Sequence, residues 1–345
     1  MGAQLATALV PTQLPRRQRA ALHLPIQQPI NHHEHRCRNL CMQRYQQIKK
    51  ALGSECVMTL VVADSFNPTQ LFSQLWNFLN EFEARFSRFK QESELSRFNL
   101  KAGTPIAISY EFFELLAEAK RYMKLTNGLF NPFVLPALQK AGYKGSWPHP
   151  ETATNQLDFS EREIVQPEHL NITPTTARIP KKAALDFGGI GKGYALDKLA
   201  QVLAENSVEN FWLSLGGDVI CQGKDVTNQS WSVAIAGQSS DEQTIANIEN
   251  KPGELLAIAT SGVTKRRGAD WHHIIDPRTQ QPSNSNVLTA TVISLSATEA
   301  DIYAKSLVID PTISLPHTIL GVALQTADHP PRIIQKGEYI HAQFV

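Results

Sequence analysis

Four glycines fall within six positions of Asp186-Phe187-Gly188-Gly189-Ile190-Gly191-Lys192-Gly193, after an apolar run and before a helical pattern. Glycine lets backbone approach a ligand closely and reach positive φ, and the N–H groups opening the next helix attract anions. The segment reads as a phosphate-holding loop with a carboxylate beside it. It is not a Walker loop, because Gly193 follows Lys192 where that motif needs Ser or Thr. Its glycine spacing is also wrong for a dinucleotide fingerprint. A glycine-rich turn made only for packing is the competing explanation. Three further places could carry chemistry: Gly216-Gly217-Asp218; Thr260-Ser261-Gly262 followed by His272-His273-Ile274-Ile275-Asp276-Pro277; and Ala300-Asp301. Acids beside turns suit Mg²⁺, which prefers oxygen donors and bridges to substrate phosphate. A histidine can move a proton during attack on phosphorus. Singly, each acid is explained by helix capping or turn formation; the case for phosphorus chemistry rests on their conjunction.

Periodicity supplies the elements that must position these groups. Cys56–Ala63 reads as a strand, and Leu71, Phe72, Leu75, Phe78, Leu79, Phe82 and Phe86 form a helical stripe. Ser87–Asn99 is expected to be a polar loop. A helix over 110–125 should stop at Asn127-Gly128, with Leu129-Phe130-Asn131-Pro132 as loop. Short strands and turns are expected over 144–182, then the glycine loop and a helix with Leu196, Leu199 and Leu203 on one face. Strands follow near 211–215, 219–221, 230–236, 254–260 and 289–295, and a helix over 297–309. Many strands with few long helices between them imply an α+β fold around antiparallel sheet.

With 345 residues, 42% hydrophobic and 19% charged, the chain has the make-up of an ordinary globular protein with a large core. Its net charge of +1 hides an asymmetry: residues 1–50 carry eight Lys or Arg against Glu34 alone, leaving the other 295 residues at −6. A mildly acidic body gives no support to nucleic-acid binding. No window of about 18 apolar residues occurs, so no membrane span is expected. Residues 1–52, basic and interrupted by Pro11, Pro15, Pro25 and Pro29, are expected to be a disordered leader, and 53–345 the folded domain. The leader lacks a charged n-region followed by an apolar stretch, so a cytoplasmic location is expected ahead of a periplasmic one. An organellar transit peptide, or a true start at Met42, stays open. His32, His33, His35, Cys37 and Cys41 match no zinc spacing and read as solvated tail. Four cysteines, unevenly placed, suit a reducing compartment.

The conjunction of blocks resembles a known family, the ApbE-type FAD:protein FMN transferases, over about residues 56–325. Ser87–Asn99 is similar to the family's Ser-x-Phe/Tyr loop with its Ser-Glu-Leu-Ser-x-x-Asn ending. Thr126–Pro132 looks like its Thr-x-Gly-Ala-Phe-Asp segment. Asp186–Asp197 resembles Asp-Leu-Gly-Gly-Ile-Ala-Lys-Gly-Tyr-Ala-x-Asp almost letter for letter. Leu215–Asp218, Thr260–Gly262, His273–Thr279 and Ala300-Asp301 match further blocks in family order.

The resemblance implies an ApbE-like fold of antiparallel sheets flanked by helices. It also implies a transferase: FAD binds with Mg²⁺ at its pyrophosphate, a Thr or Ser hydroxyl of an acceptor flavoprotein attacks the FMN-side phosphorus, and AMP leaves. Phe89 would stack on the flavin nucleotide. Leu129, Phe130 and Asn131 would line the FAD site, with Asp186, Lys192, Ser261, Gly262 and His273 also at the cofactor. The Gly189 carbonyl and the Asp301 carboxylate would bind Mg²⁺, and His273 would transfer the proton, with Asp301 the second catalytic residue. Two departures stand out. The family's Met-Gly-Thr opening is Val57-Met58-Thr59 here, so the methionine contact is Met58 or is lost. Four residues beyond Asp301 the family usually has a metal-ligating Thr; here it is Lys305, which cannot ligate while charged. Either Lys305 takes over part of the ion's work on the pyrophosphate, or Ser306 serves after a small shift, or the chain holds FAD or FMN without transferring it, at most hydrolysing FAD slowly.

Overall fold

Strands that are apolar at nearly every position need cover on both faces, and the central strands of this chain have it. A computed structural model describes residues 41–145, 157–237, 244–268, 271–335 and 339–342. Eight strands form the main sheet: β1 (Met42–Ala51), β2 (Ser54–Ala63), β3 (Phe211–Leu215), β4 (Asp218–Gln222), β5 (Leu255–Gly262), β6 (Val287–Ser294), β7 (Ile319–Thr326) and β8 (Arg332–Gln335). They lie side by side in chain order, every neighbour antiparallel. Leu213, Ile220, Ala257, Val292 and Val322 face the larger core. Their neighbours Val219, Cys221, Leu256, Ile258, Ile293 and Ala323 turn the other way, onto Trp231, Ile235, Ala246 and Ile248. That second face is covered by a small sheet of Ser232–Ala236, Thr244–Glu249 and Ile340–Ala342.

The larger core is closed by helices inserted between strands. α1 (Thr69–Phe86), α2 (Glu94–Leu100), α3 (Tyr110–Leu125), α4 (Leu135–Ala141) and α5 (Gly191–Glu205) all fall between β2 and β3, and α6 (Ala297–Ile309) falls between β6 and β7. The stripe of α1 buries Leu71, Phe72, Leu75, Leu79, Phe82 and Phe86 as the 3.6 period requires. α5 and α6 cross in close contact. A Cβ placed on Gly193 would sit 2.3 Å from the Ala297 carbonyl oxygen, so only glycine allows that approach. Asp197 of α5 then caps α6, accepting from the Ala297 and Thr298 N–H groups at 2.7 and 2.9 Å.

Two expectations need correction. The segment 87–99 is not all loop: Ser93 Oγ accepts from the Ser96 N–H at 3.0 Å and starts α2, whose Leu95 and Phe98 are buried. The leader boundary at 52 is also too late, since Met42–Ala51 pairs with β2 from Met42↔Ala63 to Ala51↔Ser54. This edge strand is mostly polar and held through its ladder and through Gln46 and Gln47, which bond Thr59 and Trp76, so it carries no strong period-2 apolar signal. Residues 1–40, with the His32–Cys37 cluster, lie outside the described residues. Cys41, Cys56 and Cys221 are free thiols, and among the described residues no helix is long and apolar enough to cross a membrane.

Candidate active site

The glycine loop is set in place by side chains from distant segments. Asn99, at the end of the Ser-Glu-Leu-Ser-x-x-Asn run, clamps Leu185 on both sides: its amide donates to the Leu185 carbonyl at 2.9 Å and accepts from the Leu185 N–H at 2.8 Å. The next residue, Asp186, donates its N–H to the Pro132 carbonyl at 2.7 Å. Thr126 plays the same part for the neighbouring loop, its hydroxyl donating to the Tyr122 carbonyl and accepting from the Phe130 N–H at 3.0 Å. The two loops thus form adjoining walls of a cleft of about 350 Å³. None of Gly188, Gly189, Gly191 and Gly193 is in the left-handed region; a Cβ would crowd Asp186 at Gly188, Phe130 at Gly189 and Ala297 at Gly193, while Gly191 has ordinary room.

At one end the cleft is charged. The β3–β4 turn has Gly216 and Gly217 at φ +64° and +93°, a pair of left-handed residues that fits a tight hairpin, and it presents Asp218 to Lys192 of α5. Lys192 and Asp218 form an ion pair, and Asp218 also accepts from the Thr260 N–H at 3.1 Å. Burial works against charge on Lys192, but the Asp218 and Asp301 carboxylates outweigh it and hold its pKa above the ordinary value. Alongside, Lys305 pairs with Asp301 one turn earlier on α6, and Asp301 Oδ2 also accepts from the Gly193 N–H at 3.3 Å. Lys192, Lys305 and Arg266 all line the cleft.

At the other end it is aromatic. The Arg88 guanidinium lies 4.2 Å from the Phe89 ring centre and 4.9 Å from that of Tyr143. It also donates to Asp186 Oδ1 at 3.1 Å and to the Tyr143 carbonyl at 3.2 Å. Asp186 Oδ2 accepts from the Gly188 N–H at 3.0 Å, so both carboxylate oxygens are engaged. Tyr143 stacks on Trp271 at 5.8 Å and meets His273 edge-on at 6.3 Å.

His273 stands between the two ends. Its Nδ1 lies 3.1 Å from the Arg266 carbonyl, which also accepts the His273 backbone N–H at 3.1 Å. A carbonyl only accepts, so Nδ1 carries the proton and Nε2 keeps its lone pair. Burial, reinforced by the charges of Arg266 and Lys305, pushes its pKa down to about 3. The ring is therefore a neutral base at ordinary pH. His272 pins the same loop, its Nε2 donating to the Ser283 carbonyl at 2.9 Å and its Nδ1 accepting from the Ile274 N–H at 3.3 Å.

Of the sequence-predicted residues, Phe89, Leu129, Phe130, Asn131, Asp186, Gly189, Lys192, His273 and Lys305 meet at this cleft. Asn131 holds its own loop, bonding the Val165 carbonyl and the Phe133 N–H. Met58, Ser261, Gly262 and Asp301 do not line it, Asp301 lying behind Lys305. Met58 is fully buried within β2, and Ser261 and Gly262 pair with Ala290 and Thr289 inside the sheet. Asp276 is taken by Arg278. Arg88, Tyr143 and Arg266 were not anticipated, because a lone Arg or Tyr in a polar stretch has no spacing to mark it.

The implied metal position does not suit a divalent cation. The Lys305 ammonium occupies the Asp301 carboxylate and has no lone pair to offer, and the Ser306 hydroxyl donates to the Ile302 carbonyl of its own helix at 2.9 Å. Among the described residues no cluster of three His, Cys, Asp or Glu could hold a metal.

A family model described as the ApbE family matches residues 52–316. The chain belongs to the ApbE family. It is 31% identical over 256 residues to the FAD:protein FMN transferase of Vibrio cholerae, covering 72% of this chain and 75% of that protein. The protein of the same name from Haemophilus influenzae is 29% identical over 240 residues, 65% of this chain and 67% of that one. Among solved structures, the flavin transferase ApbE from Vibrio cholerae superposes with a TM-score of 0.68 at 25% identity, over 85% of this chain and 97% of that one. The ApbE protein of Thermotoga maritima gives 0.71 at 22% identity, over 84% and 96%, a likeness of fold.

Proposed function

We propose that this ApbE-family chain transfers FMN from FAD to a Thr or Ser hydroxyl of a cytoplasmic acceptor flavoprotein, releasing AMP. One observation carries the reading: a neutral histidine base sits between a cationic wall and an aromatic wall of one cleft. FAD has that polarity, with a pyrophosphate between aromatic groups. Phe89 and Tyr143 give stacking surface to an aromatic group of FAD. Lys192, Lys305 and Arg266 face the pyrophosphate and offset its charge as it grows on the leaving phosphate.

His273 Nε2 takes the proton of the acceptor hydroxyl as its oxygen bonds to the FMN-side phosphorus. The P–O bond to the AMP phosphate breaks, and the electron pair leaves with AMP. The Arg266 carbonyl fixes the ring's tautomer throughout, so that the lone pair is on the reacting side. Transfer of this kind asks chiefly for positioning and charge stabilisation, and no step here is routed through a metal.

The test is to incubate the chain with FAD and a candidate acceptor, following AMP by chromatography and acceptor mass by spectrometry. AMP and acceptor-bound FMN should appear in equal amounts, and an acceptor with its Thr or Ser changed to Ala should stop both. AMP release that ignores the acceptor would replace transfer with hydrolysis.

A further inference from the structure

We propose that the Lys305 ammonium is this chain's built-in counter-charge for the substrate pyrophosphate, so that FAD is bound and used without a divalent cation. The inference rests on the FAD reading above and concerns how that site handles charge.

Lys305 follows Asp301 by one turn of α6, and its side chain passes the glycine loop: a Cβ on Gly189 would lie 3.8 Å from Lys305 Cδ and 3.1 Å from the Phe130 ring. Gly189 and Lys305 therefore lie side by side on the cleft wall, with the Asp301 carboxylate held against the Lys305 ammonium. The Asp301 side chain is 1% exposed and that of Lys305 15%, so the carboxylate is sealed behind the ammonium. A divalent ion would have to displace a cation that is covalently tethered and cannot diffuse away.

Charge balance points the same way. Asp218 and Asp301 are matched by Lys192 and Lys305, and among the described residues Arg266 has no carboxylate partner, its guanidinium donating to Ser54 Oγ at 3.3 Å. These five groups sum to +1, and three of them are cations that line the cleft. The wall therefore accepts an anion as it stands. A neutral side chain at 305 would leave a buried, uncompensated carboxylate against the substrate's phosphates, which repels the anion and draws in a cation. Other oxygen donors nearby are engaged, Asp186 by Arg88 and Gly188, and Ser306 by its own helix.

Calorimetric titration of FAD into the flavin-stripped full chain, in EDTA and in MgCl₂, tests this with Lys305→Thr and Lys305→Arg alongside. The unaltered chain and Lys305→Arg should bind FAD with affinities that agree within about twofold in the two buffers. Lys305→Thr should lose about tenfold or more in EDTA, the effect of one charge-assisted contact, and recover it in MgCl₂. MnCl₂ titrated alone and followed by electron paramagnetic resonance should show binding to Lys305→Thr and none to the unaltered chain. A tenfold or larger gain in FAD affinity with Mg²⁺ for the unaltered chain, or Mn²⁺ bound by it, overturns the inference while leaving the FAD reading intact. These two results need no variant to fold. Failure of every form to bind FAD in either buffer overturns both.

Discussion

The charged end of the cleft is carried mostly on α5 and α6, helices of the larger core, with Asp218 following the exposed β3–β4 turn and Arg266 on the loop after β5. Its aromatic end, by contrast, is carried on loops: Arg88 and Phe89 follow α1, and Tyr143 follows α4. At the charged end Lys192–Asp218 ties α5 to the β3–β4 turn, and Asp301, paired with Lys305 of its own helix, accepts from the Gly193 N–H of α5. At the aromatic end the contacts are rings with the Arg88 guanidinium stacked on them, and that guanidinium also pairs with Asp186. On the proposed function, the groups offered to phosphate sit mostly on core helices, and the rings offered to the substrate's aromatic parts sit on the loops after α1 and α4. His273 belongs to both ends, feeling the Arg266 and Lys305 charges and touching Tyr143.

Substitutions should separate the two ends. The largest effect belongs to the residue between them: His273→Ala should slow transfer by about 10²–10⁴-fold while FAD affinity by calorimetry changes little. Full activity in that variant removes histidine from the chemistry. Asp301→Ala leaves the Lys305 ammonium without its carboxylate in a mostly buried site, so the unfolding free energy should fall by about 3 kcal/mol in urea titrations. An unchanged midpoint would mean that the charged end does not support the fold. Gly193→Ala forces α5 and α6 apart at the Ala297 carbonyl and should cost about 1–3 kcal/mol, measured the same way. Phe89→Ala should weaken FAD binding by about 1 kcal/mol, roughly fivefold, with no change in unfolding midpoint; loss of stability there would erase the contrast between the ends.

Local signals in the sequence locate the long elements well. The expected helices 110–125 and 297–309 coincide with α3 and α6, because each joins a sustained period to a clear stop or cap. The seven-residue α2 is too short to show a period, and polar β1 is held by its ladder instead of an apolar face. The glycine loop is legible as a ligand-approach segment, yet three of its four glycines are needed for space beside Asp186, Phe130 and Ala297 and none for positive φ. Pairing is what the sequence withholds. Lys192 finds Asp218 from 26 residues away, and Asn99 finds Leu185 from 86 away, distances over which only the completed fold brings side chains together. Met58, Ser261 and Gly262 show the reverse: motif positions that pack into the sheet.

The proposed transfer requires His273 to be a neutral base that keeps its Nε2 lone pair at working pH. Its most direct test is the pH dependence of kcat/KM for AMP release in the presence of acceptor, which reports the essential groups of the free enzyme. With the His273 pKa pushed down to about 3, the profile should stay flat from about pH 8 to pH 5, the range in which an ordinary histidine titrates. An acid limb with a midpoint near the ordinary histidine value of 6.5, missing from the residual activity of His273→Ala, would contradict it.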